Sequence, residues 1–293
     1  MLHKIKNILL DQIKTRFQLE KCDIISEKNI SGGCINDCVY WNLNGLKLFI
    51  KSNSQTNFPT MFEKEKSGID ILGKTKTIRV PKVYFTIDIE SISIIVMEFI
   101  ESSLKSGLFW NEFATKLAEL HKCSNDKFGL DHDNYIGSLV QKNSYKDTWA
   151  SFFIEERIEP QVKMAYDSKL LLDEDIKLFK TLYKNCDQIF PKESPSLLHG
   201  DLWSGNFLVD EKGAPAIIDP AIYYGHREME LAFTMLFGGY DASFYQVYDE
   251  VFPLSKGFMK RKDIYNVYPL LVHLNLFGSS YLSQIRGILR TFN

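Results

Sequence analysis

Leu197-Leu-His-Gly-Asp-Leu-Trp-Ser-Gly-Asn-Phe-Leu-Val-Asp-Glu-Lys-Gly-Ala-Pro-Ala-Ile-Ile-Asp219 is the stretch on which the reading of this 293-residue chain turns. Phe207-Leu-Val209 and Ala216-Ile-Ile218 are short apolar runs with strand character, and Asp210-Glu-Lys-Gly213 between them is turn chemistry. A tight hairpin brings its two open ends together, and those ends carry Asn206 and Asp219. An Asn and an Asp oxygen side by side suit Mg²⁺, which takes few protein oxygens and completes its shell with phosphate oxygens and water. Asp201, five positions before Asn206, is placed to orient or deprotonate a hydroxyl nucleophile. A lone Asp or Asn is ordinarily a turn former, and Asp210 is read that way. The three residues arranged around one hairpin are what point to chemistry.

The Asp201-to-Asn206 interval is that of the kinase catalytic loop, and the N-terminal half contains the parts such a loop needs. Ser31-Gly-Gly-Cys-Ile-Asn36 holds Gly32 and Gly33, whose missing side chains let backbone N–H groups approach phosphate. Just after it, Asn44-Gly45 separates Cys38–Leu43 from Leu46–Lys51, a strong hairpin signal because a two-residue turn needs positive φ at both positions. Lys51 ends the second strand, in reach of nucleotide phosphates. Met61, Phe62, Glu65, Ile69 and Leu72 share one face of a helix. An unpaired carboxylate on that apolar face would be costly, so Glu65 needs a cation, and Lys51 is the candidate. The Lys–Glu pair is a standard part of the kinase machine. Val96-Met-Glu-Phe-Ile100 closes this strand-rich region, and backbone groups of Glu98, Phe99 and Ile100 are the expected adenine contacts.

The pattern then changes. Ile5, Ile8, Leu9 and Ile13 form a helical stripe before the strands, Pro81–Ile100 reads as two strands, and after Ser102 helices dominate. Phe113, Leu117, Leu120 and His121 share one stripe, and Trp149 to about Met164 and Asp173 to about Ile189 read as helices. The expected fold class is α+β: a small N-terminal antiparallel sheet lobe with an inserted helix over residues 1–101, which binds nucleotide, and a larger, mainly helical catalytic and substrate-binding lobe over 102–293. The formal net charge of −2 argues for neither a nucleic-acid nor an anionic-membrane partner. Five cysteines without metal or disulfide spacing fit reduced thiols in a cytoplasmic protein. No apolar run approaches a spanning helix, and none looks like a signal peptide. Cys34, among N–H groups that favour anions, is a candidate redox-sensitive thiol.

Taken together these segments are recognisable. The chain resembles the fructosamine kinase (ketosamine 3-kinase) family, a branch of the aminoglycoside-phosphotransferase-like kinases with a protein-kinase-like fold. The resemblance rests on Ser31–Asn36, Phe49-Ile-Lys51, Met61-Phe62 with Glu65, Val96-Met-Glu98 and His199–Asn206. It continues through Asp219-Pro-Ala221, Tyr224-Gly-His-Arg-Glu228, Phe237-Gly-Gly239 and His273-Leu-Asn-Leu-Phe-Gly278. It implies ATP and Mg²⁺, with Asp201 as base, Asn206 and Asp219 as metal ligands, Lys51 on phosphates, Glu65 on Lys51 and His199 as scaffold. It also implies a small-molecule ketosamine substrate, free or protein-bound, phosphorylated on its 3-hydroxyl. Trp203, Tyr224, His226 and Glu230 are the expected substrate-side residues, with His273 and Asn275 either reaching the site or pairing internally. Pro220-Ala221 stands where protein kinases have Phe-Gly, and a helix is expected within about ten residues of Asp219, which leaves little room for an activation loop. The alternatives are a choline-, aminoglycoside- or hydroxy-amino-acid kinase of the same fold and a nucleotide-binding pseudokinase. The pseudokinase is disfavoured because neither the base nor a metal ligand is missing.

Overall fold

The structure, a computed structural model, describes residues 5–30 and 35–291. Helix α1 (Lys6–Phe17) buries Leu9 and Ile13, and Ile5 just before it is buried too. Ile8, one residue and so about 100° around the helix from Leu9, stays 45% exposed, which narrows the expected stripe. Strands β1 (Ile24–Asn29), β2 (Asp37–Leu43) and β3 (Leu46–Ser54) follow, then helix α2 (Met61–Thr75) and strands β4 (Val83–Ile89) and β5 (Ile92–Glu98). They form one antiparallel sheet in the order β1-β2-β3-β5-β4.

The two-residue side-chain period decides what each face of this sheet meets. Val39, Trp41, Leu48, Ile50, Ile94 and Val96 pack with Ile5 and with Leu9 and Ile13 of α1. Ile95 and Met97 face the other way and pack with Phe62 and Ile69 of α2. Strand β5 is therefore buried on both faces, which is why its central Ile94-Ile-Val-Met97 is an unbroken apolar run. Lys51 follows inward-facing Ile50 and so emerges on the α2 side. The β2–β3 turn is the one Asn44-Gly45 demands: φ is 54° at Asn44 and 97° at Gly45, and Leu43 pairs with Leu46.

Beyond the sheet come α3 (Phe109–His121), the hairpin β6 (Asn134–Ile136) and β7 (Leu139–Gln141), and a continuous helical stretch made of α4 (Trp149–Phe152), a wider π-type turn (Phe153–Ile158) and α5 (Glu159–Asp167). The single helix expected from Trp149 is thus interrupted, just before Pro160, which has no N–H to give the ladder. Helix α6 (Asp173–Ile189) leads to β8 (Ser196–Leu198), the hairpin β9 (Phe207–Val209) and β10 (Pro215–Ile217), and β11 (Tyr223–Gly225), which pairs with β8. Helices α7 (Arg227–Leu236), α8 (Ala242–Val251), α9 (Phe258–Tyr265), α10 (Val267–Phe277) and α11 (Leu282–Arg290) complete the chain. Helix α7 starts eight residues after Asp219, so the segment between is short. The helical core includes Leu72 and Ile78 from the end of α2 and the segment after it, so the two parts share packed surface. Among the described residues no helix is long and apolar enough to cross a membrane.

An added Cβ at Gly45 would meet no atom within 4 Å, so substitution there tests backbone conformation alone. Gly45→Ala should lower the unfolding free energy by about 1 kcal/mol. Urea unfolding reads this, and an unchanged midpoint would mean that the turn does not need its left-handed residue.

Candidate active site

Strand β8 delivers the chain into His199-Gly-Asp201 at the floor of a cleft of about 500 Å³ between the sheet and the helical part. Gly200 has φ of 84°, and a Cβ there would lie 2.0 Å from the carbonyl oxygen of Ala221, so the loop accepts only glycine. His199 is fully buried. Its Nε2 donates to Ile218 O at 2.8 Å, and its Nδ1 accepts the Asp201 N–H at 3.3 Å. A carbonyl can only accept and an N–H can only donate, so the ring is neutral and its tautomer is set. Burial, the largest influence, also moves its pKa down.

The β9–β10 hairpin holds Asn206 and Asp219 at its open end, closed by Ile218 N–H to Asn206 O at 3.0 Å. Asn206 Nδ2 donates to Asp201 O at 2.8 Å and to Asp201 Oδ2 at 2.9 Å. Both partners are acceptors, so the amide nitrogen must face Asp201, and the amide oxygen stays free of that contact. Asp219 takes the left-handed conformation, φ 57°, which Asp tolerates better than most side chains. The hairpin β6–β7 steadies the segment after it: Asn134 Nδ2 donates to Ile222 O at 2.9 Å and Gln141 Nε2 to Ala221 O at 3.0 Å.

From the sheet side, Lys51 Nζ reaches Glu65 Oε1 at 2.7 Å and Asp219 Oδ1 at 2.5 Å. Burial would lower the lysine pKa, but the two carboxylates outweigh it and the ammonium is held well above its ordinary value. Burial moves Glu65 up despite Lys51. Burial, then the charge of Asp219, raises Asp201 well above the usual carboxylate range, against the hydrogen bond from Asn206. Cys38 pairs with Lys51 across β2–β3 and lines the same cleft, and burial pushes its thiol up to about 11.

The side chains at the open end of the hairpin, Asn206 and Asp219, offer oxygen to the cleft, which fits a hard cation. Among the described residues no three His, Cys, Asp or Glu converge into a self-sufficient metal cage. A metal at Asn206 and Asp219 would need further oxygens from elsewhere, as Mg²⁺ on a polyphosphate does.

Comparison with known proteins agrees with the sequence resemblance. The family model described as fructosamine kinase matches residues 1–292. The chain belongs to the fructosamine kinase family. A chloroplastic protein-ribulosamine 3-kinase of Arabidopsis thaliana is 38% identical over 269 residues, covering 89% of this chain and 80% of that one. A solved structure from Haemophilus somnus 129PT, named with the fructosamine-3-kinases, superposes with a TM-score of 0.87 at 30% identity, covering 97% of this chain and 96% of that one. An aminoglycoside phosphotransferase solved with ADP and hygromycin B superposes with a TM-score of 0.62 at 16% identity, covering 97% of this chain and 98% of that one, a likeness of fold.

Against this family fold the substrate-side expectations divide. Trp203 lines the cleft, 39% exposed, with its ring lying where a side chain on Gly205 would stand: a Cβ there would be 2.4 Å from the indole. Glu230 does not face the cleft. Its carboxylate is buried and accepts from His199 N–H at 3.1 Å and Gly200 N–H at 2.7 Å, with His121 Nε2 at 2.9 Å. Burial would raise its pKa, but His121, His199 and the Gly200 N–H hold it below the ordinary value. It supports the loop that carries Asp201. His226 is likewise internal, capping α7 through its Nδ1, with Nε2 3.2 Å from Pro191 O. Tyr224, opposite Leu197 in the β8–β11 pair, exchanges both of its backbone hydrogen bonds with Gly129 and is not on the cleft wall. His273 lines the cleft and donates from Nδ1 to Pro269 O at 2.7 Å, whereas Asn275 is bonded to Gln161.

At the hinge, the Glu98 and Phe99 N–H groups are spent on Lys82 O at 2.8 Å and Lys47 O at 3.3 Å. The Ile100 N–H has no hydrogen-bond partner among the described residues, which leaves it as the donor of the three. Gly32, Gly33 and Cys34 lie outside the described residues. The reading of the sequence missed His121 as the partner of Glu230. The argument used for Glu65, a charged or polar group on an apolar stripe that must find a mate, applies equally to His121.

In Lys51→Met, burial and Asp219 act on Glu65 uncompensated and push its folded pKa further above the ordinary 4.5. A carboxyl with a raised folded pKa keeps its proton in the folded state, and stability is lost as pH climbs above the unfolded value. The stability deficit of Lys51→Met against wild type should therefore be larger at about pH 8 than at about pH 5. Equal deficits in urea unfolding at both would contradict the pairing. In activity, the Lys51→Ala/Glu65→Ala double variant should be scarcely worse than Lys51→Ala alone.

Proposed function

We propose that this member of the fructosamine kinase family transfers the γ-phosphoryl group of ATP to the 3-hydroxyl of a ketosamine, a sugar joined to an amine through C1. The observation that carries this is the meeting of Asp201, Asn206, Asp219, Lys51 and Glu65 in one cleft, in a chain matched by that family's model along its length. Residues 1–101 serve as the nucleotide lobe and 102–293 as the catalytic and substrate lobe.

In this reading Asp201 is the base. One of its carboxylate oxygens takes the Asn206 amide, which leaves the other for the substrate hydroxyl. Its raised pKa brings proton affinity toward that of a useful general base. The hydroxyl oxygen bonds to the γ-phosphorus, its proton passes to Asp201, and ADP departs. Lys51, steadied by Glu65, holds phosphate oxygens beside Asp219. Asn206 and Asp219 would hold Mg²⁺, whose chemistry there is to neutralise charge on those oxygens. Ile100 N–H is the adenine donor at the hinge. Trp203 offers an aromatic face to the sugar carbons.

Phosphate on O3 prepares the next step without further help from the protein. Loss of the C1 proton and then of the O3 phosphate leaves an imine, which water hydrolyses to the free amine. The role is repair of glycated amines, free or protein-bound. We place it in the cytoplasm, where the described cysteines would remain the free thiols they are.

Asp201→Asn should keep binding of ATP with Mg²⁺ while kcat falls about 10²- to 10⁴-fold. Asp219→Ala should weaken Mg²⁺-dependent nucleotide binding itself. Incubation with ATP, Mg²⁺ and ribulosyl- or fructosyl-lysine, followed by phosphorus NMR and amino-acid analysis, should show phosphate on O3 and release of lysine. Turnover of choline or an aminoglycoside with none of a ketosamine would refute the substrate. A near-normal kcat for Asp201→Asn would refute the base.

A further inference from the structure

The hairpin that carries Asn206 and Asp219 is tied at its opposite end to the sheet, through one guanidinium. Arg79 lies between α2 and β4. Its carbonyl accepts the Ile217 N–H at 2.9 Å, and its backbone bridges to Ala216 in parallel fashion. Its Nη1 donates to Asp210 Oδ2 at 2.9 Å and Glu211 Oε2 at 2.7 Å, in the hairpin turn. Its Nη2 donates to Glu98 Oε1 at 2.7 Å, at the end of β5 where the hinge begins.

Two of the three acids in this cluster are themselves fixed. Asp210 Oδ1 accepts the Lys212 and Ala214 N–H groups, both at 2.9 Å, and Asp210 O accepts Ser103 Oγ–H at 2.6 Å. Glu98 Oε2 accepts the Lys82 N–H at 3.1 Å. Asp210, a turn former by sequence, is thus also an anchor. Burial would raise its pKa, but the Ala214 N–H, Arg79 and the Lys212 N–H hold it below the ordinary carboxylate value.

We propose that Arg79 is a positioning residue for phosphoryl transfer, holding the metal-ligand hairpin in register with the nucleotide hinge. Three carboxylates from two parts of the molecule meet on a single cation. Without it, Glu98 on one side and Asp210 and Glu211 on the other face each other as like charges across the junction. The hairpin is short and closed by backbone bonds, so displacement at its turn is passed to Asn206 and Asp219 at its open end. A lysine would keep the charge but not the planar fork that serves three oxygens at once.

The inference rests on Asn206 and Asp219 being the metal ligands, and the test separates the two. Wild type, Arg79→Ala, Arg79→Lys, Glu98→Ala and Asp219→Ala are assayed on a ketosamine for kcat, KM for ATP and the Mg²⁺ concentration giving half-maximal rate, with thermal unfolding alongside. Arg79→Ala should raise both KM for ATP and half-saturating Mg²⁺ about tenfold, the low end of what loss of a group supporting metal ligands costs. Arg79→Lys should fall between it and wild type, and Glu98→Ala should shift the same quantities by less. A merely structural arginine would lower the melting temperature and the active fraction and leave both concentrations at wild-type values, and that result overturns the proposal. Should Arg79→Ala fail to fold, Arg79→Lys and Glu98→Ala decide, and wild-type Mg²⁺ dependence in both overturns it equally. If Asp219→Ala leaves the Mg²⁺ dependence unchanged, the metal assignment fails and the proposal with it. If Asp219→Ala shifts it and Arg79→Ala does not, the proposal alone fails.

Discussion

An ammonium group withdrawn from water between two carboxylates is the constraint on which this molecule is arranged. Lys51 is almost completely buried, and its Nζ touches Glu65 of the inserted helix and Asp219 of the helical part. A buried charge persists only where its partners are held in place. Strand β3 must therefore present Lys51 on the face opposite α1, α2 must turn Glu65 inward, and the β9–β10 hairpin must bring Asp219 across the cleft. Sheet, helix and hairpin are each shaped by packing elsewhere, and this contact requires all three to be correct together.

The same region holds four carboxyl groups close together, and their surroundings give them different tasks. Glu230 accepts from two backbone N–H groups and from His121, so it stays ionised while buried and holds the loop. Glu65 faces Lys51 alone. Asp219 shares that lysine yet remains open to the cleft. Asp201 has one amide donor and two negative neighbours, and burial, then the charge of Asp219, moves its pKa up. Four copies of one functional group thus come to differ in hydrogen bonding, charge and exposure, and it is on these differences that the proposed division into base, metal ligand and supports rests.

Glycine at 200 shows how tightly this is packed. The loop passes so close to the carbonyl of Ala221 that no side chain fits, and the gap is where the two backbone segments carrying Asp201 and Asp219 lie against each other. His199 sits in the same layer, neutral, its two ring nitrogens spent on Ile218 O and Asp201 N–H.

Local order dominates what the sequence alone could determine. The Asn44-Gly45 turn, the apolar run of β5, the inward face of α2 and the hairpin bracketed by Asn206 and Asp219 all follow from period, turn chemistry and steric limits among neighbouring residues. Glu65 was legible for a related reason: its position on an apolar stripe demanded a cation, and Lys51 on the preceding strand was the candidate. Only the tertiary structure could decide the fate of Glu230, His226 and Tyr224, because the partners that turn them inward come from distant segments: His121 and the 199–200 backbone, Pro191, and Gly129. Arg79 belongs to the same class. Nothing within a few residues of it signals a role, and its importance comes from Glu98, Asp210 and Glu211 arriving at one point. A side chain's local pattern tells whether it needs a partner, while the identity of that partner depends on how segments far apart in the chain pack, and that is settled only when the whole core forms.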